Sequence, residues 1–272
     1  MASTVIITGA SQGIGKATTL LFARKGYDIV LAARQAERLE AVAAEVRALG
    51  RSALAVPTDV RDPNQVNALV HKALEHYGTI DVLINNAGIY LLGPVEEFSF
   101  SDWHQAIDTN LWGYIHTIYA LLPHFLERGT GTIINVGSIG GKIPIPYQTP
   151  YTTSKYAVTG LTEALHAELS PKGIRVCGVH PNFIKTNLME RAIFRGKDNQ
   201  DAQARHDLVE KAVTSPVLER PEDVAQAVWK AVEHQQSEVM VRSAKVSKAA
   251  YRLFPGLMEW IFRVTFGMKQ SG

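Results

Sequence analysis

Apolar residues recur along this chain in two alternating rhythms. Short runs with apolar centres predict strands at Val5–Thr8, Asp28–Ala33, Ala53–Pro57, Val82–Asn85, Thr132–Val136 and Arg175–Val179. Most are bounded by Gly, Pro, Asn or Asp, as buried parallel strands tend to be. Between them the spacing becomes helical. Ala17, Leu21 and Phe22 share one face of a segment Ile14–Lys25 that Gly26 would stop. Leu39, Val42, Val46 and Leu49 predict a helix over Ala36–Leu49, and Val66, Leu69, Val70 and Leu74 one over Asn64–His76. Longer helices are expected at Trp103–Glu127 and Tyr151–Ser170. A further helix opens on proline at Pro221–His234, and Glu238–Val241 supplies a last strand. This β-α-β alternation implies an α/β, doubly wound parallel sheet with helices on both faces. The ligand crevice then lies at the carboxyl ends of the strands.

No Ser/Gly linker, repeat or low-complexity tract divides residues 1–248, which read as a single domain. The polar stretch Arg191–Glu210 follows a strand end, where a lid over a site would sit, and about 187–215 is the expected substrate loop; a solvated surface helix is the alternative. Residues 249–272 form an apolar C-terminal tail. Tyr251, Leu253, Phe254, Leu257, Met258, Trp260, Ile261, Phe262, Val264 and Phe266 are interrupted by Arg252, Pro255, Glu259 and Arg263, which rules out a bilayer-spanning helix. The tail can pack on the body or on a subunit partner, close a greasy pocket, or lie in a membrane interface.

Composition narrows the partners. The chain has 272 residues, 46% hydrophobic and 20% charged, enough for a core and for solubility. A net charge of +2, without an aromatic-interleaved basic stripe, leaves nucleic acid out of the expected partners. The lone cysteine, Cys177, lies in an apolar run; it allows no intramolecular disulfide and fits a reducing compartment. Strand character begins at Ser3, leaving no room for a signal peptide. A cytoplasmic location is expected, with peripheral membrane contact through the tail as a further option.

Between the first strand and first helix stands Thr8-Gly9-Ala10-Ser11-Gln12-Gly13-Ile14-Gly15. Glycines here let a diphosphate approach bare backbone, and the amides and dipole of the helix start favour the anion. Tyr151 and Lys155 lie four apart on one helical face, where an ammonium would lower the phenol pKa and suit it to acid–base work. Ser138 follows the strand Thr132–Val136 and so falls at the same sheet edge as the glycine turn, where its hydroxyl could meet a substrate oxygen. Asn110 is a mediocre helix former inside the long helix, explained if it binds a water or a freed backbone carbonyl.

From about Ser3 to Arg242 the chain resembles the short-chain dehydrogenase/reductase family, in Thr8–Gly15, Asp59-Val60, Asn85-Asn86-Ala87-Gly88, Asn110, Ser138, Tyr151-x-x-x-Lys155 and Pro181 through Thr186. The order and separations of these pieces agree with the family's. The resemblance implies a Rossmann-like, dinucleotide-binding catalytic domain. It implies that Tyr151 exchanges a proton with the substrate oxygen, that Lys155 lowers the tyrosine pKa and bonds the nicotinamide ribose, that Ser138 polarises the substrate oxygen, and that Asn110 holds a water linking Lys155 to solvent. Gly9, Ser11, Gln12, Gly13, Ile14 and Gly15 would cradle the cofactor. Asp59 and Val60 would meet the adenine. Asn86, Ala87 and Gly88, with Asn85, would line the adenosine side and brace the sheet. Pro181, Ile184 and Thr186 would contact the carboxamide. The family usually has Gly where this chain has Asn182, a residue that tolerates left-handed backbone.

The second strand ends Leu31-Ala32-Ala33-Arg34, with no acid until Glu37. A carboxylate there would suit NAD; Arg34, aided by Ser11, suits the 2′-phosphate, so the expected cofactor is NADP(H). Expected pocket positions Ile89, Tyr90, Leu91, Ile139, Ile143, Pro144, Ile145, Tyr147, Phe183 and Leu188 are mostly apolar and favour a hydrophobic ketone, aldehyde or alcohol. The alternatives are a 3-oxoacyl-thioester reductase, with Arg128, Lys172 and Arg175 as carrier contacts, and a non-catalytic NADP(H)-binding regulator. Family resemblance implies a homodimer or homotetramer through the two long helices. No metal site is expected.

Overall fold

The computed structural model describes residues 2–182, 184, 192–213 and 219–266, with the side chains of 208, 211–213 and 261–266 excepted. The elements run β1 (Thr4–Thr8), α1 (Gly13–Arg24), β2 (Asp28–Ala33), α2 (Ala36–Ala48), β3 (Ala53–Pro57), α3 (Pro63–Tyr77), β4 (Val82–Asn85) and β5 (Leu91–Leu92). They continue with α4 (Phe100–Ile107), α5 (Gly113–Arg128), β6 (Gly131–Val136), α6 (Thr149–Leu169), β7 (Ile174–His180), β8 (Ile193–Phe194) and α7 (Asn199–Val213). Last come α8 (Pro221–Glu233), β9 (Glu238–Met240), α9 (Ser243–Leu253) and α10 (Pro255–Phe266).

Seven strands form one parallel sheet in the order β3-β2-β1-β4-β6-β7-β9. β1 lies between β2 and β4, so the order of connection reverses beside it and a crevice opens at the strands' carboxyl ends. Successive side chains of a strand serve opposite faces. Val5 and Ile7 pack with Phe22, Leu39 and Val228 from α1, α2 and α8, whereas Ile6 packs with Leu69, Tyr114 and Phe125 from α3 and α5. Full burial of each such side chain contributes about 1.5–3 kcal/mol. Parallel strands covered on both faces must be largely apolar, which is why the runs read from the sequence coincide with the observed strands to within a residue or so.

Local signals set the helix starts. The Asp62 carboxylate accepts from the Asn64 and Gln65 amides ahead of Pro63, and Ser99 with Asp102 forms a reciprocal cap on α4. Buried polar side chains tie the middle of the sheet to its helices: Thr117 donates to Asn85, Asn85 to Asn135, and Asn135 to Thr162. Asn85 is therefore a brace in the sheet, fully buried.

The single helix expected over Trp103–Glu127 is instead α4 and α5 joined by a π-helical turn, Asp108–Trp112. Asn110 is the cause. Its carboxamide Oδ1 accepts from Ile89 N–H at 2.8 Å, and its Nδ2 donates to the Ile89 carbonyl and to Ser154 Oγ, both at 3.0 Å. The polar stretch 191–210 resolves into β8, paired with β5, and most of α7. The C-terminal tail is helical as far as Phe266, and α9 begins at Ser243, ahead of Ala249.

Candidate active site

The glycine turn after β1 needs its glycines for two distinct reasons. Gly9 and Gly13 have φ of +65° and +52°, in the region that side chains disfavour. Gly15 has ordinary φ but no room: a Cβ there would overlap the Gly9 carbonyl and lie 2.7 Å from Asn86 Nδ2. Asn86 fixes the turn by donating to the Thr8 carbonyl at 3.0 Å, while Thr8 Oγ1 accepts from the Asn86 and Ala87 amides. No acidic residue stands in the first turn of α1, so its amides face the cleft with their partial positive charge intact.

One cleft runs from this turn to the helix α6, lined at one end by Gly9, Gln12, Gly13, Ile14, Arg34, Asp59 and Val60, then by Asn86, Ala87 and Gly88, and at the other end by Ser138, Tyr151, Lys155, Pro181 and Ile184. Most of the site residues expected from the sequence are thus brought to one wall. Ser11 and Gly15 do not reach it: Ser11 is buried with its hydroxyl unpartnered, and Gly15 packs against Gly9 and Asn86. Asn110 does not line it either; its side chain bonds Ile89 and Ser154 behind the wall. Thr186, Phe183 and Leu188 lie outside the described residues.

Ser138 is held in an extended conformation, and its Oγ accepts from the Gly140 amide at 3.1 Å. The loop beyond it is fastened by Lys142, which pairs with Glu163 of α6 and Glu238 of β9, each at 2.7 Å. Tyr151 stands in the first turn of α6 beside this loop, with the Tyr90 ring edge-on at 5.1 Å. One turn later the Lys155 ammonium donates to the Val136 carbonyl at 3.0 Å. Burial pulls Lys155 down to about 8. The Tyr151 phenol is pushed up by burial, and the Ser138 hydroxyl offsets part of this. The expected depression of Tyr151 by Lys155 is not what the protein alone shows. Lys155 Nζ lies 5.9 Å from the centroid of the Tyr151 ring, and its charge is directed at the Val136 carbonyl. A protonated Tyr151 is the resting form.

At the other end Arg34 is exposed and makes no hydrogen bond or ion pair among the described residues. The Asp59 carboxylate is gripped by the Arg61 guanidinium at 2.6–3.0 Å, which holds it below the usual carboxylate range. Arg61, Thr58, Thr109 and Gln148 also line the cleft and were not singled out from the sequence. Gln148 had a signal: Pro150 marks the first turn of α6, which makes the residue ahead of that turn its cap and turns it toward the cleft.

Several expected pocket positions require correction. Leu91 is fully buried in the β5–β8 pair, Ile143 packs with Ala244 and Tyr251, and Pro144 is exposed. Tyr147 takes φ of +62° and faces the Arg205 guanidinium. Only Ile89, Tyr90, Ile139 and Ile145 of the described candidates line the cleft. Asn182 lines it too but is not left-handed: its amide donates to Glu219 and its side chain reaches Ser243 Oγ at 3.0 Å, so the turn holds without positive φ. Arg128 and Arg175 lie at the amino ends of the strands, opposite the cleft, and Arg128 is paired with Asp81. Lys172, just ahead of β7, faces Glu168 at 3.5 Å. These three cannot guide a carrier into the crevice.

A glycine cradle whose third helix residue has no space for a Cβ, an unopposed helix start and a buried Ser–Tyr–Lys cluster on one wall define a dinucleotide-dependent oxidoreductase site on a Rossmann-like fold. The family model described as short chain dehydrogenase matches residues 3–195, and the chain belongs to that family, whose members act on CH–OH and C=O groups. It is 37% identical over 228 residues to a cyclohexanol dehydrogenase of an Acinetobacter species, covering 82% of this chain and 84% of that one. It is 35% identical over 191 residues to a 3-oxoacyl-acyl-carrier-protein reductase of Staphylococcus aureus, covering 70% and 78%. Among solved structures, a short-chain dehydrogenase from Burkholderia phymatum in complex with NAD superposes with TM-score 0.86 at 28% identity, over 94% of this chain and 95% of that one. One from Sphingobium yanoikuyae in complex with NADPH does so with TM-score 0.76 at 30% identity, over 99% and 98%. A nicotinamide cofactor therefore fits this site.

Proposed function

We propose that this protein interconverts a hydrophobic ketone or aldehyde and its alcohol with NADP(H), with reduction as the working direction. The observation that carries this reading is the Ser138–Tyr151–Lys155 cluster on the wall of the same cleft that Arg34 edges. Bound there, the cofactor supplies hydride to the carbonyl carbon or accepts it from the alcohol. Ser138, with its hydroxyl already beside Tyr151, orients and polarises the substrate oxygen. Tyr151 is neutral at rest and donates its proton to that oxygen as hydride arrives, so that C=O becomes CH–OH. Lys155, whose depressed pKa of about 8 leaves it readily deprotonated, returns a proton to the phenolate and is placed to hold the ribose. Asn110 contributes by anchoring Ile89 and Ser154 behind these groups.

The NADP(H) assignment is supported by Arg34, by Arg61 nearby and by the absence of a carboxylate at the end of β2. Glu37 in the first turn of α2 is exposed. Ile89, Tyr90, Ile139 and Ile145 make the substrate end apolar. Exposed Trp112, Tyr119, Leu126 and Tyr156 on the π turn, α5 and α6 support assembly into a homodimer or homotetramer through those helices. Residues 187–215 are proposed as the substrate loop, and the buried Cys177 suits a cytoplasmic setting.

Turnover of a ketone and aldehyde panel, from small polar to large hydrophobic, with NADPH and with NADH tests the reading. Tyr151→Phe should abolish turnover while leaving cofactor affinity nearly unchanged; an unaffected rate would reject Tyr151 as the proton donor. A 3-oxoacyl-thioester reductase is the second reading, favoured by the S. aureus relative, and a direct assay with acyl-carrier thioesters discriminates. The clustered Ser138, Tyr151 and Lys155 weigh against a non-catalytic regulator.

A further inference from the structure

The C-terminal helices leave an apolar surface that the body of the protein does not cover. Leu253, Phe254, Leu257 and Trp260 are 72%, 59%, 54% and 59% exposed, and Val246 on the same side of α9 is 71% exposed. They follow one another along the end of α9, the bend and α10 as a ridge of exposed apolar side chains. The charges of this segment are mostly positive. From residue 243 onward the chain has five basic residues, Lys245, Lys248, Arg252, Arg263 and Lys269, and one acid, Glu259. Lys245 and Arg252 are exposed beside Val246 and Leu253, and Lys248 is paired with Glu238. No helix among the described residues is long and apolar enough to cross a membrane.

We propose that α9 and α10 seat the protein on the surface of an anionic lipid bilayer. The ridge would enter the headgroup layer, Trp260 would lie at its boundary with the acyl chains, and Lys245 and Arg252 would meet lipid phosphates. Charge complementarity favours this occupant over a second copy of the chain, because two such faces brought together would oppose like charges. The placement also has a use. α9 is built into the cleft wall: Ala244 and Tyr251 pack with Ile139, Ile143 and Ile145, and Ser243 Oγ accepts from the Asn182 amide. Ile139, Ile145 and Asn182 line the cleft, so a bound bilayer would lie beside the apolar end of the crevice. The proposal does not depend on which carbonyl compound is turned over.

The test is sedimentation of the full chain with phosphatidylcholine vesicles that contain or lack phosphatidylglycerol, read with quenching by brominated lipid. Binding to the anionic vesicles is expected, weaker by roughly fivefold for each basic residue removed, as in Arg252→Gln. Trp260→Phe, which keeps an aromatic ring, should bind but lose quenching, and Leu257→Glu with Trp260→Glu should not bind. Circular dichroism of each variant confirms its fold. Failure to sediment with anionic vesicles, equal binding to neutral ones, or quenching that persists in Trp260→Phe would each overturn the proposal. So would a fall in oligomeric mass in the Leu257→Glu, Trp260→Glu variant without vesicle binding by the wild type, which would make the ridge an interface between copies.

Discussion

Replacing Asn110 with alanine tests whether the π turn braces the helix that presents Tyr151 and Lys155. The side chain is fully buried and makes three hydrogen bonds, two with the backbone of Ile89 and one with Ser154. Each bond contributes about 1 kcal/mol net, and a buried group left without its partner costs about 1–3 kcal/mol. Ser154 retains its bond to the Tyr151 carbonyl at 2.7 Å, and Ile89 is only half-buried, so water meets part of the demand. The lower end of the range therefore applies, a loss of about 3 kcal/mol for the three bonds together. For a domain of this size that lowers the thermal midpoint by about 6–12 °C. Scanning fluorimetry of the cofactor-free protein reads it directly. A fall of less than about 2 °C would refute the reasoning, because it would mean that the three bonds add nothing that water or an ordinary helical turn does not supply.

Arg34→Ala should reduce the preference for NADPH over NADH by roughly ten- to a hundredfold, the worth of a charge-assisted hydrogen bond to phosphate; titration of both nucleotides checks it, and an unchanged ratio removes Arg34 from the assignment. Lys155 has a folded pKa of about 8, below its ordinary 10.5, so the unfolded chain binds more protons between those values and the cofactor-free protein gains stability as pH rises through that window. Lys155→Met should lack this slope, and its difference from wild type in urea unfolding should change by about 3 kcal/mol across the window; parallel profiles would contradict the buried-lysine argument. Gly15→Ala places a methyl against the Gly9 carbonyl and Asn86, and should destabilise the fold by about 1–3 kcal/mol and weaken nucleotide binding together. Nucleotide affinity equal to wild type in calorimetry would show that the turn relaxes without loss.

What could be read from the chain, and what could not, divides along physical lines. Most of the seven sheet strands were legible because burial on both faces demands largely apolar runs. β5 and β8 were not: each is two residues long, and they pair across a separation that periodicity does not register. The π turn was equally hidden, since it depends on Asn110 finding the Ile89 backbone, a contact made in space. Glycine turn, Ser138, Tyr151 and Lys155 were legible because their chemistry is carried by residue type and order. The substrate end was less so. An apolar side chain near a site reads the same whether it faces the cleft, as Ile145 does, or the core, as Leu91 does. Left-handed backbone fell at Tyr147 and not at Asn182, because Glu219 and Ser243 hold Asn182 from outside.

The π turn at Asp108–Trp112 has a consequence for the rod it interrupts. Ahead of it, Ala106 and Trp103 pack with Tyr90 and Tyr151 under the substrate end; after it, Tyr114, Ile118, Leu121 and Phe125 pack against the sheet. One helical rod thus serves two separate cores, and the wider turn sets the angular offset between its two apolar stripes. Shortening that turn by a single residue would rotate one stripe by about 100° relative to the other. Length here is therefore as constrained as residue type, and a one-residue deletion at this point would be felt at the catalytic wall and in the central core at once.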